Sequence, residues 1–174
     1  TWDITYSVAS IALAFSLGLV LGNVLLGMPI GPDKEFAGNW LDFLNPYALL
    51  TGATTLALFM MHGAIYLLIK TEGRLYEKLI RLLKRGIIAF IVLFSITSLY
   101  TLIYIPHLSD DFRQAPALFI VPVLTFLGIA NIPRLATKRR FQAAFFFSAL
   151  SIALLLVLVA VELYPVVLIS TIDP

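Results

Sequence analysis

Two ionisable side chains lie inside apolar stretches of this sequence and are the clearest candidates for chemistry. His62 stands in the apolar run that follows Pro46, and Glu162 stands near the end of the last apolar run. Ionisable side chains within a membrane span are costly to bury, so each is a functional candidate by default. These two residues are the candidate sites, and the other segments of the chain must hold them in position.

Three interpretations of His62 follow from the sequence. A neutral imidazole donates one hydrogen bond and accepts another, so a hydrogen bond between helices is the simplest interpretation. Contact with a proton route or a quinone is the second, and ligation of a metal or haem is the third. Haem ligation in a helix bundle usually needs a second His, Met or Cys on a facing helix. The other histidine, His107, follows Pro106 in a loop at a different depth.

Glu162 lies about one turn before the Tyr164-Pro165 pair that ends the last apolar run. A carboxylate so close to the interface can reach water or bond to loop donors, and a role in proton handling is the alternative. Paired buried carboxylates, a Ser/His/Asp set, a phosphate-binding glycine loop and zinc-ligand spacing are not apparent in the sequence. There is no cysteine. We therefore expect no complete active site, metal site or bound cofactor in this chain alone.

The composition indicates a membrane protein. Of the 174 residues, 60% are hydrophobic and 13% are charged, and the mean hydropathy is +0.97. About 20 apolar residues cross a bilayer as a helix. Five segments meet this rule, and they lie near residues 4–26, 46–69, 85–105, 116–132 and 141–164. The sequence predicts an all-α, polytopic transmembrane bundle that forms one domain over 1–174. Because the chain begins without Met and in mid-pattern, we expect a fragment of a longer protein.

The basic residues predict the orientation of the bundle. Loops 70–85 and 134–140 hold ten of the twelve Lys and Arg residues and lie on the same side of a five-span zigzag. By the positive-inside rule these loops are cytoplasmic, and the charge is a topology signal rather than a nucleic-acid surface. Residues 73–86 are expected to form a short amphipathic connecting helix at the membrane surface, before span three. Pro133 is expected to end span four, and Pro122 to kink it.

Small residues predict close helix packing in span one. Ser10, Ala14, Gly18 and Gly22 follow one another at four-residue steps, which lets a second backbone approach closely. Asn23 follows this ridge, and we expect it to bridge backbone groups where the helix breaks. Span two carries a polar stripe that is expected to face other helices. Its members are Thr51, Thr55, Leu58, His62 and Tyr66.

An ordered set of short motifs resembles subunit II of the cytochrome bd-type quinol oxidases, including the cyanide-insensitive branch. The resemblance covers nearly the whole chain. The motifs are Trp2-Asp3, Gly22-Asn23 with Gly27 and Pro29, Leu44-Asn45-Pro46 with Leu49-Leu50 and Gly52, His62-Gly63-Ala64 with Tyr66-Leu67, Lys70-Thr71-Glu72-Gly73, and Tyr164-Pro165.

The resemblance implies a non-haem subunit of a terminal oxidase in a bacterial or archaeal plasma membrane. Its complex would oxidise quinol, reduce O2 to water and contribute to a proton gradient. Haem b and haem d would be held mainly by subunit I, the partner in a heterodimer, and a small accessory subunit is a further candidate partner. A bound quinone or lipid is a candidate ligand of subunit II. The alternatives are a transporter or channel with a polar site around His62, and a scaffold with no redox partner.

Overall fold

The computed structural model describes residues 2–31, 35–105 and 116–164. Within these residues there are five long helices, each long and apolar enough to cross a membrane. They are α1 (Trp2–Leu26), α2 (Pro46–Lys70), α3 (Arg74–Tyr104), α4 (Ile120–Thr137) and α5 (Phe141–Glu162). Beside them the described residues form two 3₁₀ turns and one isolated β-bridge. The predicted all-α, polytopic helix bundle is confirmed. His107, Asp33 and Lys34 lie outside the described residues.

Helix α2 is the centre of the bundle and packs against α1, α3 and α5, while α4 packs mainly against α5. The main core is formed by apolar side chains of α2, α3, α4 and α5, and includes the buried residues Ile65, Phe90, Ile132 and Ala144. Most other apolar side chains point outward, as expected for helices whose outer surface meets lipid. The residues of α2 are consequently the ones through which the other helices are held together.

Helix α3 differs from its predicted extent because it begins at Arg74 and runs unbroken through Tyr104, over 31 residues. The predicted connecting helix and the predicted third span are therefore one helix. The connector is rich in good helix formers and contains no proline, so nothing in it forces a break. Gly86, read as a boundary, is buried, and a Cβ there would lie 3.5 Å from Met60 Cε. That is an ordinary van der Waals distance, so Gly86 packs against α2 without interrupting the helix, and a small side chain would also fit there.

Helix α4 also continues beyond its predicted end. Pro133 lies inside the helix, which reaches Thr137. A proline removes one backbone donor but does not always stop a membrane helix, since neighbouring groups can compensate. The Thr137 hydroxyl donates to the Pro133 carbonyl oxygen at 2.8 Å, which adds a bond in the last turn but does not replace the N–H that Pro133 lacks toward Ile129 O. Pro122 falls in the first turn of α4, where an N–H would have no intrahelical acceptor, so its missing donor costs little.

A tight turn joins α4 to α5. Arg139 adopts φ 54°, a left-handed conformation that glycine usually fills at the end of a helix. The backbone N–H of Arg139 donates to Ala136 O and that of Arg140 to Leu135 O, both at 3.0 Å. These two bonds satisfy carbonyl groups in the last turn of α4. The turn is thus held by its backbone and not by the arginine side chains.

Candidate functional site

His62 lies between α2 and α5. Its Nδ1 atom is 2.8 Å from Ser148 Oγ, and its ring stacks on Phe145 with the ring centroids 4.7 Å apart. Ser148 is fully buried, whereas His62 is half-buried. The ring of Tyr66, one turn along α2, lies 5.9 Å from the ring of Phe145. The structure therefore places His62 in an interhelical hydrogen bond, within an aromatic cluster.

The hydrogen bonds of Ser148 determine the tautomer of a neutral His62. The Ser148 hydroxyl lies 2.8 Å from the carbonyl oxygen of Phe145, to which it donates its single proton. Its oxygen must then accept a hydrogen bond from His62, so Nδ1 carries the proton. In the neutral ring Nε2 is consequently left with a free lone pair. Among the described residues no buried side-chain nitrogen or oxygen lacks a partner, so Nε2 is not sealed inside this chain.

The side chains that the structure describes around His62 do not complete a haem or metal site. Among the residues that the structure describes, no group of three His, Asp or Glu side chains could hold a metal ion. Met61 is buried in the core beside it and Met60 reaches toward Gly86, so neither is placed as a second axial ligand. What the arrangement offers is one oriented acceptor, Nε2, at the outer surface of the bundle.

The second candidate, Glu162, lies in the last turn of α5. Its carboxylate is within electrostatic reach of Tyr47, which is buried in the first turn of α2. The Tyr47 hydroxyl is 2.9 Å from Thr101 Oγ1, and Thr101 donates its own proton to Thr97 O. Tyr47 is therefore the donor to Thr101. The structure does not bring Glu162 and His62 together. His62 contacts α5 at Ser148, whereas Glu162 lies in the last turn of α5, near Tyr47 at the start of α2.

The small-residue ridge of α1 meets α2 over part of its length. Gly18 and Gly22 are buried, Ala14 is half-buried, and Ser10 is exposed and donates to Tyr6 O. A Cβ on Gly18 would lie 2.6 Å from Thr51 O, and one on Gly22 would lie 2.7 Å from Ala48 Cα. Backbone contact this close requires glycine at both positions.

Two asparagines join the C-terminal end of α1 to the N-terminal end of α2. Asn23 Nδ2 donates to Leu19 O and Phe43 O, both at 2.9 Å, which confirms its predicted backbone-bridging role. Asn45 caps α2 by accepting from Ala48 N, and its Nδ2 donates to Asn23 Oδ1 at 2.8 Å. The cap of one helix is thereby bonded to the end of another.

The polar stripe of α2 faces two different helices. Thr51 and Thr55 lie against the glycines of α1, whereas His62 meets α5, and Tyr66 remains half-exposed beside Phe145. Ser148 was not predicted from the sequence to be the partner of His62. The signal was present, since Ser148 and Ser151 are rare polar residues in an apolar helix and such residues turn inward. Both are fully buried.

Comparison with known proteins places the chain in a family. The profile of the family described as cytochrome bd terminal oxidase subunit II matches residues 1–173. A probable cytochrome oxidase subunit 2 from Haemophilus influenzae is 27% identical over 99% of this chain and 53% of its own length. Cytochrome bd-I ubiquinol oxidase subunit 2 from Escherichia coli is 23% identical over 98% of this chain and 53% of its own length.

A Bacillus subtilis relative, cytochrome bd ubiquinol oxidase subunit 2, is 25% identical over 98% of this chain and 49% of its own length. The chain thus spans about half the length of these curated relatives. The matches run across all five helices and not across one motif, and they agree with the ordered motifs in the sequence. This multi-pass membrane chain belongs to the cytochrome bd terminal oxidase subunit II family.

Proposed function

We propose that this chain is part of the non-haem subunit II of a cytochrome bd-type terminal quinol oxidase. The observation that carries the proposal is the family match over residues 1–173, which is joined by relatives named as ubiquinol oxidase subunits. In the proposed complex, quinol is oxidised, O2 is reduced to water and a proton gradient forms. The catalytic activity belongs to the complex and not to this chain.

The geometry around His62 supports a haem-free role. A six-coordinate haem between helices needs two axial ligands, and among the described residues neither Met60 nor Met61 is placed as a second ligand beside His62. Haem b and haem d are accordingly assigned to subunit I, which would form a heterodimer with this subunit, with a small accessory subunit as a further candidate. No observation on the described residues favours a transporter or channel.

Two residues are proposed as contacts within the complex. The free lone pair of His62 Nε2 can accept a hydrogen bond from a quinol hydroxyl or from a donor of the partner subunit. Glu162, within electrostatic reach of Tyr47, is the proposed proton contact at the other end of the bundle. A contact with lipid or quinone on the outer surface of the helices is consistent with the large apolar side chains exposed there.

The proposed location is the bacterial or archaeal plasma membrane, with loops 70–85 and 134–140 in the cytoplasm. The clustering of basic residues at one end of the helices supports this orientation. Cysteines introduced at Lys78 and Trp40 and labelled from outside the cell would test it. We expect labelling at position 40 only. Labelling at position 78 would show that the proposed orientation is wrong.

The function is tested by purifying the full-length subunit together with its membrane neighbours. The expected result is a complex with haem d absorbance and quinol-dependent consumption of O2, both lost when this subunit is deleted. If the purified subunit instead transported a solute by itself and no haem protein accompanied it, the proposal would be wrong. Omission of subunit I provides the control that separates the contribution of each half.

A further inference from the structure

One end of the bundle carries a dense and unneutralised positive charge. Ten basic residues and two acidic ones lie in the segments 70–85 and 134–140, a net charge of +8. All ten are exposed, and none forms an ion pair within 4.0 Å with another residue of the described chain. They are Lys70, Arg74, Lys78, Arg81, Lys84, Arg85, Arg134, Lys138, Arg139 and Arg140. Such a surface attracts anions, and most strongly where it also forms a concave site.

Two cavities adjoin each other at this end and share Ile69 as a lining residue. The first, of about 410 Å³, lies against the α4–α5 turn, and the second, of about 520 Å³, lies against the α2–α3 turn. Arg139 and Arg140 line the first cavity, whereas the second is lined by both Lys70 and Glu72, so most of the positive charge lies at the first cavity. Three cationic side chains from two separate turns therefore border one concave region.

A strip of aromatic side chains leads from the cavities along α2 toward the middle of that helix. Tyr66 and His62 precede Ile69 by one and two turns of α2, on the same side of that helix. Phe145 of α5 packs against both rings. Tyr66 is 48% exposed, so the strip is open to the bilayer. A molecule that filled both regions would need an anionic head and a long apolar tail.

Arg139 is unusual because it occupies a left-handed backbone position that favours glycine. The turn is closed by the backbone hydrogen bonds of Arg139 and Arg140, so its shape does not depend on the arginine side chain. What arginine adds at this position is a guanidinium at the border of the cavity. A planar guanidinium can bond two phosphate oxygens at once.

We propose that the two cavities form one binding site for an anionic phospholipid. The phosphodiester would be bound by Arg139 and Arg140, with Lys70 contributing charge from the neighbouring turn. One acyl chain would lie along Ile69, Tyr66 and Phe145. Charge complementarity selects an anionic headgroup over a zwitterionic one, and the continuous aromatic strip selects a lipid over a free anion. The site is independent of the catalytic role of the complex.

The test uses the complex with full-length subunit II, stripped of lipid in detergent. Phosphatidylglycerol and phosphatidylcholine are titrated separately, and the lipids bound to the complex are counted by native mass spectrometry. The test variant is Arg139→Gly with Arg140→Gln, and the matched control is Arg81→Gln with Lys84→Gln. The control removes the same charge from the same end of the bundle, at residues that line neither cavity.

We expect the wild type to bind phosphatidylglycerol in preference to phosphatidylcholine. Because a charge-assisted hydrogen bond to a phosphate contributes about tenfold in affinity, the test variant should lose about 100-fold, whereas the control removes only diffuse charge and should lose much less at 0.15 M salt. Equal losses in both variants would mean that diffuse charge alone attracts the lipid, and would overturn the proposal. Competition by inorganic phosphate at equal concentration would likewise show a site for a free anion.

The single variants test whether a loss of lipid binding is caused by a folding defect. Arg139→Gly places the residue that the left-handed conformation favours, so the melting temperature of the lipid-free complex should not fall. Added phosphatidylglycerol should then raise that temperature less than it does in the wild type. Arg139→Lys, which keeps the charge, and Arg140→Gln should give intermediate affinities. A full lipid response in both Arg139→Gly and Arg140→Gln would contradict the proposal.

Discussion

His62 Nδ1 and Ser148 Oγ lie 2.8 Å apart and join the central helix α2 to α5. Since Ser148 donates its own proton to Phe145 O, the imidazole is the donor in this pair. The contact orients the histidine ring and leaves Nε2 as its acceptor. A histidine that looks like a candidate ligand in the sequence is thus partly accounted for by a hydrogen bond, with one nitrogen still free for a partner.

Replacement of Ser148 by Ala should weaken the α2–α5 contact. The variant removes the acceptor of the His62 N–H, and hydrogen bonds between membrane helices contribute about 0.6 kcal/mol on average. We expect a loss of about 0.5–1.5 kcal/mol in the free energy of unfolding of the complex. Thermal melting in detergent measures this loss, with Ser95→Ala on the exposed face of α3 as the control. Equal melting temperatures for the two variants would argue against the contact.

Replacement of His62 by Gln should preserve both the haem spectrum and the oxidase activity of the complex. Gln can still donate a hydrogen bond to Ser148 and accept another. Visible absorbance and quinol-dependent O2 consumption are the measurements, and His62→Leu, which can do neither, is the comparison variant. Loss of a haem band in His62→Gln would establish ligation and refute the haem-free assignment of this chain.

Replacement of Gly18 by Leu should separate α1 from α2. A Cβ at this position would lie 2.6 Å from Thr51 O, so the backbones must move apart, at a cost of about 1–3 kcal/mol or more. The expected result is a lower melting temperature and poorer assembly. Gly63→Ala is the matched control on α2, because no atom lies within 4 Å of the added Cβ. It should be neutral or mildly stabilising. Unchanged assembly in Gly18→Leu would mean that the α1–α2 contact is not needed.

Replacement of Asn45 by Asp should destabilise the chain even though Asp is a good helix cap. The carboxylate can still accept from Ala48 N, but it cannot donate to Asn23 Oδ1. Two acceptors would then face each other beside the buried Asn23, at a cost of about 1–3 kcal/mol. Chemical unfolding at neutral pH measures the change. Asn45→Ser, which keeps a donor and an acceptor, should lose less, and the reverse ranking would contradict the proposed network.

A double-mutant cycle on Thr54 and Thr97 should detect direct coupling between α2 and α3. Their hydroxyl oxygens are 2.8 Å apart, and each also lies 2.8 Å from a carbonyl oxygen of its own helix. Replacement of each by Val keeps the shape of the side chain and removes the hydroxyl. We expect a coupling energy of about 0.6 kcal/mol in the free energy of unfolding. Strict additivity of the two single effects would show that the pair contributes nothing beyond its own helices.

The number and approximate positions of the helices could be predicted because a bilayer requires about 20 apolar residues in each span. The residue at which α3 starts could not be predicted. Residues 74–85 have a helical pattern whether or not they continue into the next helix, and only packing against α2 distinguishes the two cases. The prediction that Pro133 ends the helix was wrong for a similar reason, because the cost of a proline depends on neighbouring groups.

The candidate sites were predictable as single residues but not as contacts. That His62 would face another helix follows from its polarity. That its partner is Ser148, 86 residues later, depends on how α5 lies against α2. Asn23 is similar, since its backbone contacts follow from a helix end, whereas its bond to Asn45 depends on the approach that Gly18 and Gly22 allow.

The unbroken length of α3 has a mechanical consequence. Gly86–Tyr104 is long enough to cross the hydrocarbon layer, and the twelve residues 74–85 extend this rod by about 18 Å beyond it. A rod does not bend at the membrane boundary, so a change in the tilt of the buried part moves the outer part sideways. A change of about 10° would displace the Arg74 end by about 3 Å relative to that boundary. Because α3 is one continuous helix, any change in the tilt of its apolar part would also move residues 74–85.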